Sequence, residues 1–153
     1  MTSYTSQALV FGRAFMNTIM AAFAARPAGP LVAAGAKIRL SQDPTFNPTP
    51  NSNVAGLSTN EATFSGYTAG GNAVTLSGPV NASPTCQGEL ASTLFVATAS
   101  TVTNNVYGYW IDDGVNVIVG ERFAGGGIAS FNTSGDFLDL QIVLPGQLLQ
   151  AAA

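Results

Sequence analysis

Hydrophobic and polar positions follow two different periods along this chain. Across residues 6–26, SQALVFGRAFMNTIMAAFAAR, Leu9, Met16, Met20 and Phe23 share one helical face, and Phe11, Phe15 and Ile19 widen it beyond a narrow stripe. Ser6 stands where a cap belongs, Ala, Leu and Met favour helix, and RPAGP at 26–30 ends the run. The pattern predicts an N-terminal α-helix. A helix apolar most of the way round expects partners on several sides, so this one reads as a docking or oligomerisation element. AAFAA mimics a signal-peptide cleavage site, but no Lys or Arg precedes the apolar stretch, and Arg13 and Asn17 interrupt it.

From Ala36 onward the period is two. AKIRLS alternates Ile38 and Leu40 with Lys37 and Arg39, the mark of a half-exposed strand. QDPTFNPTPNSNVAGLSTN, at 42–60, reads as a long surface excursion without helix, and its Pro-rich 43–54 portion suits an extended arm lying along a neighbour. ATFSGYT (62–68), AVTLS (73–77) and STLFVATAS (92–100) read as strands, with GPVNASPTCQGE (78–89) as a loop between the last two. VYGYWIDDGVNVIVGERF (106–123) reads as a hairpin closed by Asp112-Asp113-Gly114. FLDLQIVL (137–144) sets Leu138, Leu140, Ile142 and Leu144 against Asp139 and Gln141.

The fold class expected is all-β: an antiparallel β-sandwich or jelly-roll-like domain of about seven strands with an N-terminal α-helix. Strands do not alternate with helices after residue 30, which disfavours a parallel sheet. The expected organisation is a helical docking segment over 1–30, the β domain over 31–146 and a tail over 147–153.

Composition narrows the function classes. Charged residues make up only 8% of the 153-residue chain, with Lys+Arg 5 against Asp+Glu 8, whereas soluble domains average about 25%. So little charge suits a surface that meets other protein, although Ser, Thr, Asn and Gln offer an uncharged polar surface as well. The scattered basic residues form no stripe for phosphates, so no nucleic-acid partner is expected, and no membrane partner either. Cys86 is the only cysteine, which excludes a disulfide framework within the chain.

The chain has no histidine. That removes the usual general base, the Ser-His-Asp and Cys-His nucleophile systems and the commonest zinc ligand. Carboxylate chemistry would have to draw on Glu61, Glu89, Asp112, Asp113, Glu121, Asp136 and Asp139, and no spacing among them singles out a pair. Asp112, Asp113 and Asn116 suit a turn better than a calcium loop, which would be longer and close with a Glu. AGGN (69–72) and AGGG (124–127) contain no Lys and do not lead from strand into helix, so neither reads as a phosphate cradle. NAS (81–83) and NTS (132–134) match the glycosylation sequon, which matters only in a eukaryotic secretory setting. No catalytic, cofactor-binding or metal-ligating residue is assigned, and the expected protein is not an enzyme.

The aromatics of the hairpin are the remaining candidates. Alternation places Val106, Gly108 and Trp110 on one face and Tyr107, Tyr109 and Ile111 on the other. Exposed in a row they would make a flat platform for sugars; packed inward they would be core and subunit contact.

Five segments in order carry a resemblance. AKIRLSQDPTFNPTP, NEATFSGYT, TVTNNVYGYWI, GERF and SGDFLDLQIVL, spanning 36–144, resemble a family of small structural proteins of tailed bacteriophages. Residues 78–90 depart from that family's middle segment, and the apolar N-terminal stretch is stronger than the family leads one to expect. The resemblance implies a virion protein at the particle surface, most simply decorating or stabilising the capsid. The partners expected are copies of itself, with a trimer as one candidate arrangement, and the major capsid or tail protein. It also implies that Glu61, Phe64, Gly66, Tyr67, Val106, Tyr107, Gly108, Tyr109, Glu121 and Phe123 define the fold. A tail component, or a carbohydrate-binding module contacting host glycans, is the alternative expectation.

Overall fold

The structure, a computed structural model, describes residues 10–11, 35–74, 80–82, 85–89, 93–100 and 103–144. Over these the chain is mostly β, and every strand pairing is antiparallel. The strands are β1 (Val10–Phe11), β2 (Lys37–Ser41), β3 (Asn72–Ala73), β4 (Val80–Ala82), β5 (Thr85–Glu89) and β6 (Thr93–Val96), followed by β7 (Asn104–Val106), β8 (Gly108–Asp112), β9 (Val117–Arg122), β10 (Ala129–Phe131), β11 (Phe137–Leu140) and β12 (Val143–Leu144). A five-stranded sheet runs in the order β1-β9-β8-β2-β3, beside the ladders β10-β7, β11-β6 and β12-β5-β4.

The helix expected over 6–26 is corrected where that stretch is described: Val10 and Phe11 are extended and pair with Gly120 and Val119 of β9. Val and Phe favour strand when an edge offers backbone partners, and at these two positions tertiary pairing overrides the helical pattern. The rest of 6–26 lies outside the described residues, as does the expected tail over 147–153.

Cross-strand register sorts the large sheet into two faces. Ile38 faces Ile111 and Leu40 faces Tyr109, while Ile111 and Tyr109 face Val119 and Glu121 across β9. This side joins Phe95, Leu138 and Leu140 of the β6–β11 ladder and Val106, Ala129 and Phe131 of the β7–β10 ladder in one buried cluster. Phe64 and Phe131 stack within it, with ring centroids 3.8 Å apart. The other side of the sheet carries Arg39, Gly108, Trp110, Asp112, Gly120 and Arg122.

That second face is covered by the chain's own 42–60 excursion. Phe46 is buried with Trp110 and Val117 in a second apolar cluster that Val54, Leu57 and Tyr107 flank. A Cβ at Gly108 would stand 2.7 Å from the Phe46 ring, and one at Gly120 would stand 2.9 Å from Pro48, so both glycines make room for the excursion. Arg122 fixes its near end by donating to the carbonyls of Phe46 (2.8 Å) and Pro44 (2.7 Å). The segment read as an arm for a neighbour therefore lies across its own sheet. It also contains a helical turn, α1 (Val54–Ser58), which Asn53 caps by accepting from the Gly56 N–H at 2.8 Å.

Three further readings change. ATFSGYT forms no strand beyond the Ser41–Glu61 bridge at its border, yet its Phe64 is buried and Tyr67 packs against the core. VNA and TCQGE, read as loop, form the β4–β5 hairpin. FLDLQIVL splits, with β11 on β6 and β12 on β5.

Candidate functional site

The charged side chains of the second sheet face converge on Arg39. Strand alternation places Arg39 on β2 directly opposite Trp110 of β8, two residues from Asp112. Arg39 Nη2 donates to Asp112 Oδ1 at 3.1 Å, and Nη1 donates to Ser58 Oγ (3.3 Å) and Glu61 Oε2 (3.4 Å). Arg39 Nε lies 2.7 Å from Asp112 Oδ2, but its N–H is not aimed for a directed hydrogen bond, so this contact is an ion pair by distance. Asp112, fully buried, also accepts from Trp110 Nε1 (3.0 Å) and the Gly114 N–H (2.9 Å). Glu61 accepts from the Tyr67 hydroxyl (2.7 Å) and the Gly70 N–H (2.8 Å), and the same hydroxyl accepts from the Leu40 N–H (3.2 Å).

These groups are tied to one another, and that decides what they can do. A general acid or base needs a free lone pair or proton beside a substrate; here both carboxylates are occupied by guanidinium, phenol, indole and backbone donors. Their geometry fastens the far end of the excursion to β2 and β8. Burial, reinforced by the hydrogen bond to Glu61, pushes the Tyr67 phenol well above its ordinary value. The inner face repeats the arrangement: buried Tyr109 donates to Glu121 Oε2 at 2.8 Å, and burial with the nearby Glu121 charge raises its phenol likewise.

Two further carboxylates hold turns. Asp136 accepts from the backbone N–H groups of Thr133 and Asn132, each at 2.7 Å, which lower its pKa. Burial pushes Asp113 up, but the N–H groups of Asn116 (2.6 Å) and Val115 (2.9 Å) outweigh it and leave the group low. Asp139 lies on the exposed side of β11, and Glu89 belongs to β5. Among the described residues no three His, Cys, Asp or Glu gather as a metal group would require.

The hairpin aromatics do not form an exposed row. Trp110 is 0% exposed, Tyr109 3% and Phe123 5%. Tyr107 is half-buried under the Arg122 guanidinium, 5.7 Å from its ring centroid. The other residues named with the resemblance also serve packing: Gly66, at φ +97°, sits where a Cβ would stand 2.4 Å from the Val96 carbonyl, and Val106 is fully buried.

What the surface does expose is an apolar row on the β6–β11 ladder. Leu94 (54% exposed), Val96 (37%) and Phe137 (52%) point outward, with Phe137 directly across from Val96 and Asp139 across from Leu94. Phe95, Leu138 and Leu140 occupy the buried side of the same ladder. STLFVATAS shows this alternation, but its two faces are equally apolar, so nothing local marks which one faces water.

No family model, curated protein or solved structure matches this chain.

Proposed function

We propose that this protein is a non-enzymatic structural component of a bacteriophage virion, built as a β-sandwich-like domain and acting at the particle surface by protein–protein contact. Decoration or stabilisation of the capsid is the role proposed, with copies of itself and the major capsid protein as partners. The resemblance across residues 36–144 supplies the virion setting. The observation that carries binding as the mode of action is the outward row of Leu94, Val96 and Phe137 on a regular strand pair. Three such side chains leave on the order of 250 Å² of apolar surface in water, ~6 kcal/mol of gross driving force if fully covered. A standard interface takes about 800 Å² from each partner, so the row would be the centre of a larger contact, with the Asp139 carboxylate beside Leu94.

A sugar platform made from the hairpin would rest on Tyr107 alone, because Tyr109 and Trp110 lie in the core.

The test is incorporation. Wild-type protein and the double variant Leu94→Lys/Phe137→Lys are added to particles lacking the protein, and bound copies are counted after sedimentation and by antibody-gold labelling. Wild type should label particles and the variant should fall at least tenfold, since two charges would be buried in an apolar contact. Equal incorporation of both, or no labelling of intact or disrupted particles, would overturn the reading.

A further inference from the structure

We propose that the β9 edge is an acceptor for the N-terminal strand of a second copy, so that β1 is exchanged between neighbouring subunits when they assemble. The proposal rests on the reading that the protein binds copies of itself, and adds how they are joined.

Three observations lead there. First, β1 is only two residues long and is set on the flank of the six-residue strand β9, where Val10 and Phe11 oppose Gly120 and Val119. It is the outermost strand of the five-stranded sheet, so nothing in the order of that sheet depends on which chain donates it. Second, β1 is remote in sequence from the strand that follows it. Residues 12–36 intervene before β2, a length that can span at most about 80 Å at 3.3 Å per residue. A domain of this size is only about 40 Å across, from a radius of gyration near 15 Å. The donor strand can therefore reach β9 of its own chain or of an adjoining one, and the backbone pairing formed is the same in both. Third, the chain has few charges with which to bond subunits: of its 5 basic residues, Arg39 and Arg122 are engaged in holding the 42–60 excursion. Main-chain hydrogen bonds to a strand edge need no charge, and they join subunits by strand addition.

Mass action sets when each form prevails. Covalent connection to its own chain raises the strand's effective concentration at its own β9, with millimolar as the scale for linked partners. Dilute chains keep it, whereas chains held side by side in an assembly, or concentrated toward that range, exchange it.

The test uses full-length chains in a Cys86→Ser background. Phe11→Cys and Val119→Cys are made separately, and together in one chain. Directly opposed strand residues bring their Cβ atoms to about 5 Å, close enough for oxidation to join them with slight adjustment. The chain carrying both is expected to cross-link internally at low concentration. An equimolar mixture of the single variants, co-concentrated and then oxidised, should give a heterodimer at twice the 15.6 kDa chain mass, with a yield that rises with concentration. A second readout leaves Val119 in place: Val10→Pro/Phe11→Pro, which removes the strand's donors, should abolish the concentration-dependent dimer seen by light scattering. If the doubly substituted chain closes internally while the mixture gives no heterodimer, and the proline variant self-associates as wild type does, exchange is wrong and assembly through another surface stands. If wild type is monomeric at every concentration and stays off particles, both this inference and the assembly role fall together.

Discussion

Replacing Arg39 with Met removes the guanidinium while keeping most of the side-chain volume, and isolates what the charge contributes. Asp112 would lose the Nη2 hydrogen bond and the 2.7 Å ion pair, keeping Trp110 Nε1 and the Gly114 N–H; Glu61 would keep Tyr67 and Gly70. Breaking one partner of a buried ion pair costs about 3–5 kcal/mol. The low end applies, because the Arg39 side chain is 13% exposed and both carboxylates retain donors. A loss of about 3 kcal/mol is a large part of the roughly 5–15 kcal/mol that holds a domain together, and should lower Tm by roughly 6–12 °C at this chain length. Urea denaturation of wild type, Arg39→Met, Asp112→Leu and the double variant gives a cycle. Each single change should be costly, and the double should cost at least about 2 kcal/mol less than their sum, since it removes the Asp112 charge together with its cation and leaves only Glu61, still held by Tyr67 and Gly70, without the guanidinium. If Arg39→Met costs under about 1 kcal/mol at unchanged m-value, or the cycle closes near zero, the cluster does not fasten the excursion as described.

Other expectations follow from single sites. Gly66→Ala should cost more than about 2 kcal/mol by chemical denaturation, because a positive φ penalty adds to a Cβ 2.4 Å from the Val96 carbonyl; wild-type stability would remove the steric account. Asp136 sits below the ordinary aspartate value of 3.8 in the fold, so its contribution is present above that value and lost as pH falls through the folded pKa. Asp136→Asn should therefore flatten the fall in stability below about pH 4 in acid titrations of the melting temperature. Tyr67 and Tyr109 are raised, so the stability they confer through their neutral forms is full below the ordinary phenol value of 10.0 and is lost as pH rises beyond it. In an absorbance titration near 295 nm these two should ionise only together with unfolding, and a reversible phase near pH 10 assigned to Tyr109 by Tyr109→Phe would contradict its burial.

Some of this protein was determined by local pattern. Period-two alternation in AKIRLS and FLDLQ marks β2 and β11 and identifies Ile38, Leu40, Leu138 and Leu140 as inward, because a strand with one polar face has one way to sit on a core. The acidic turn with Gly114 at φ +90° is likewise local chemistry, so the β8–β9 hairpin was readable. The tertiary structure decided the rest. Trp110 and Tyr109 occupy opposite faces of one strand; Tyr109 joins the main core, and Trp110 is buried as well because a Pro-rich excursion folds back over the second face. No local rule states that a polar, Pro-punctuated stretch will cover a sheet, since the instruction lies in Gly108 and Gly120, far along the chain, leaving space for Phe46 and Pro48. Arg39, Glu61 and Asp112 likewise meet only through register, and each alone reads as an ordinary surface charge or turn former. The same holds at Val10 and Phe11, which pair with the backbone edge of β9, because strand pairing is a contact between distant residues and leaves no periodic trace in either one.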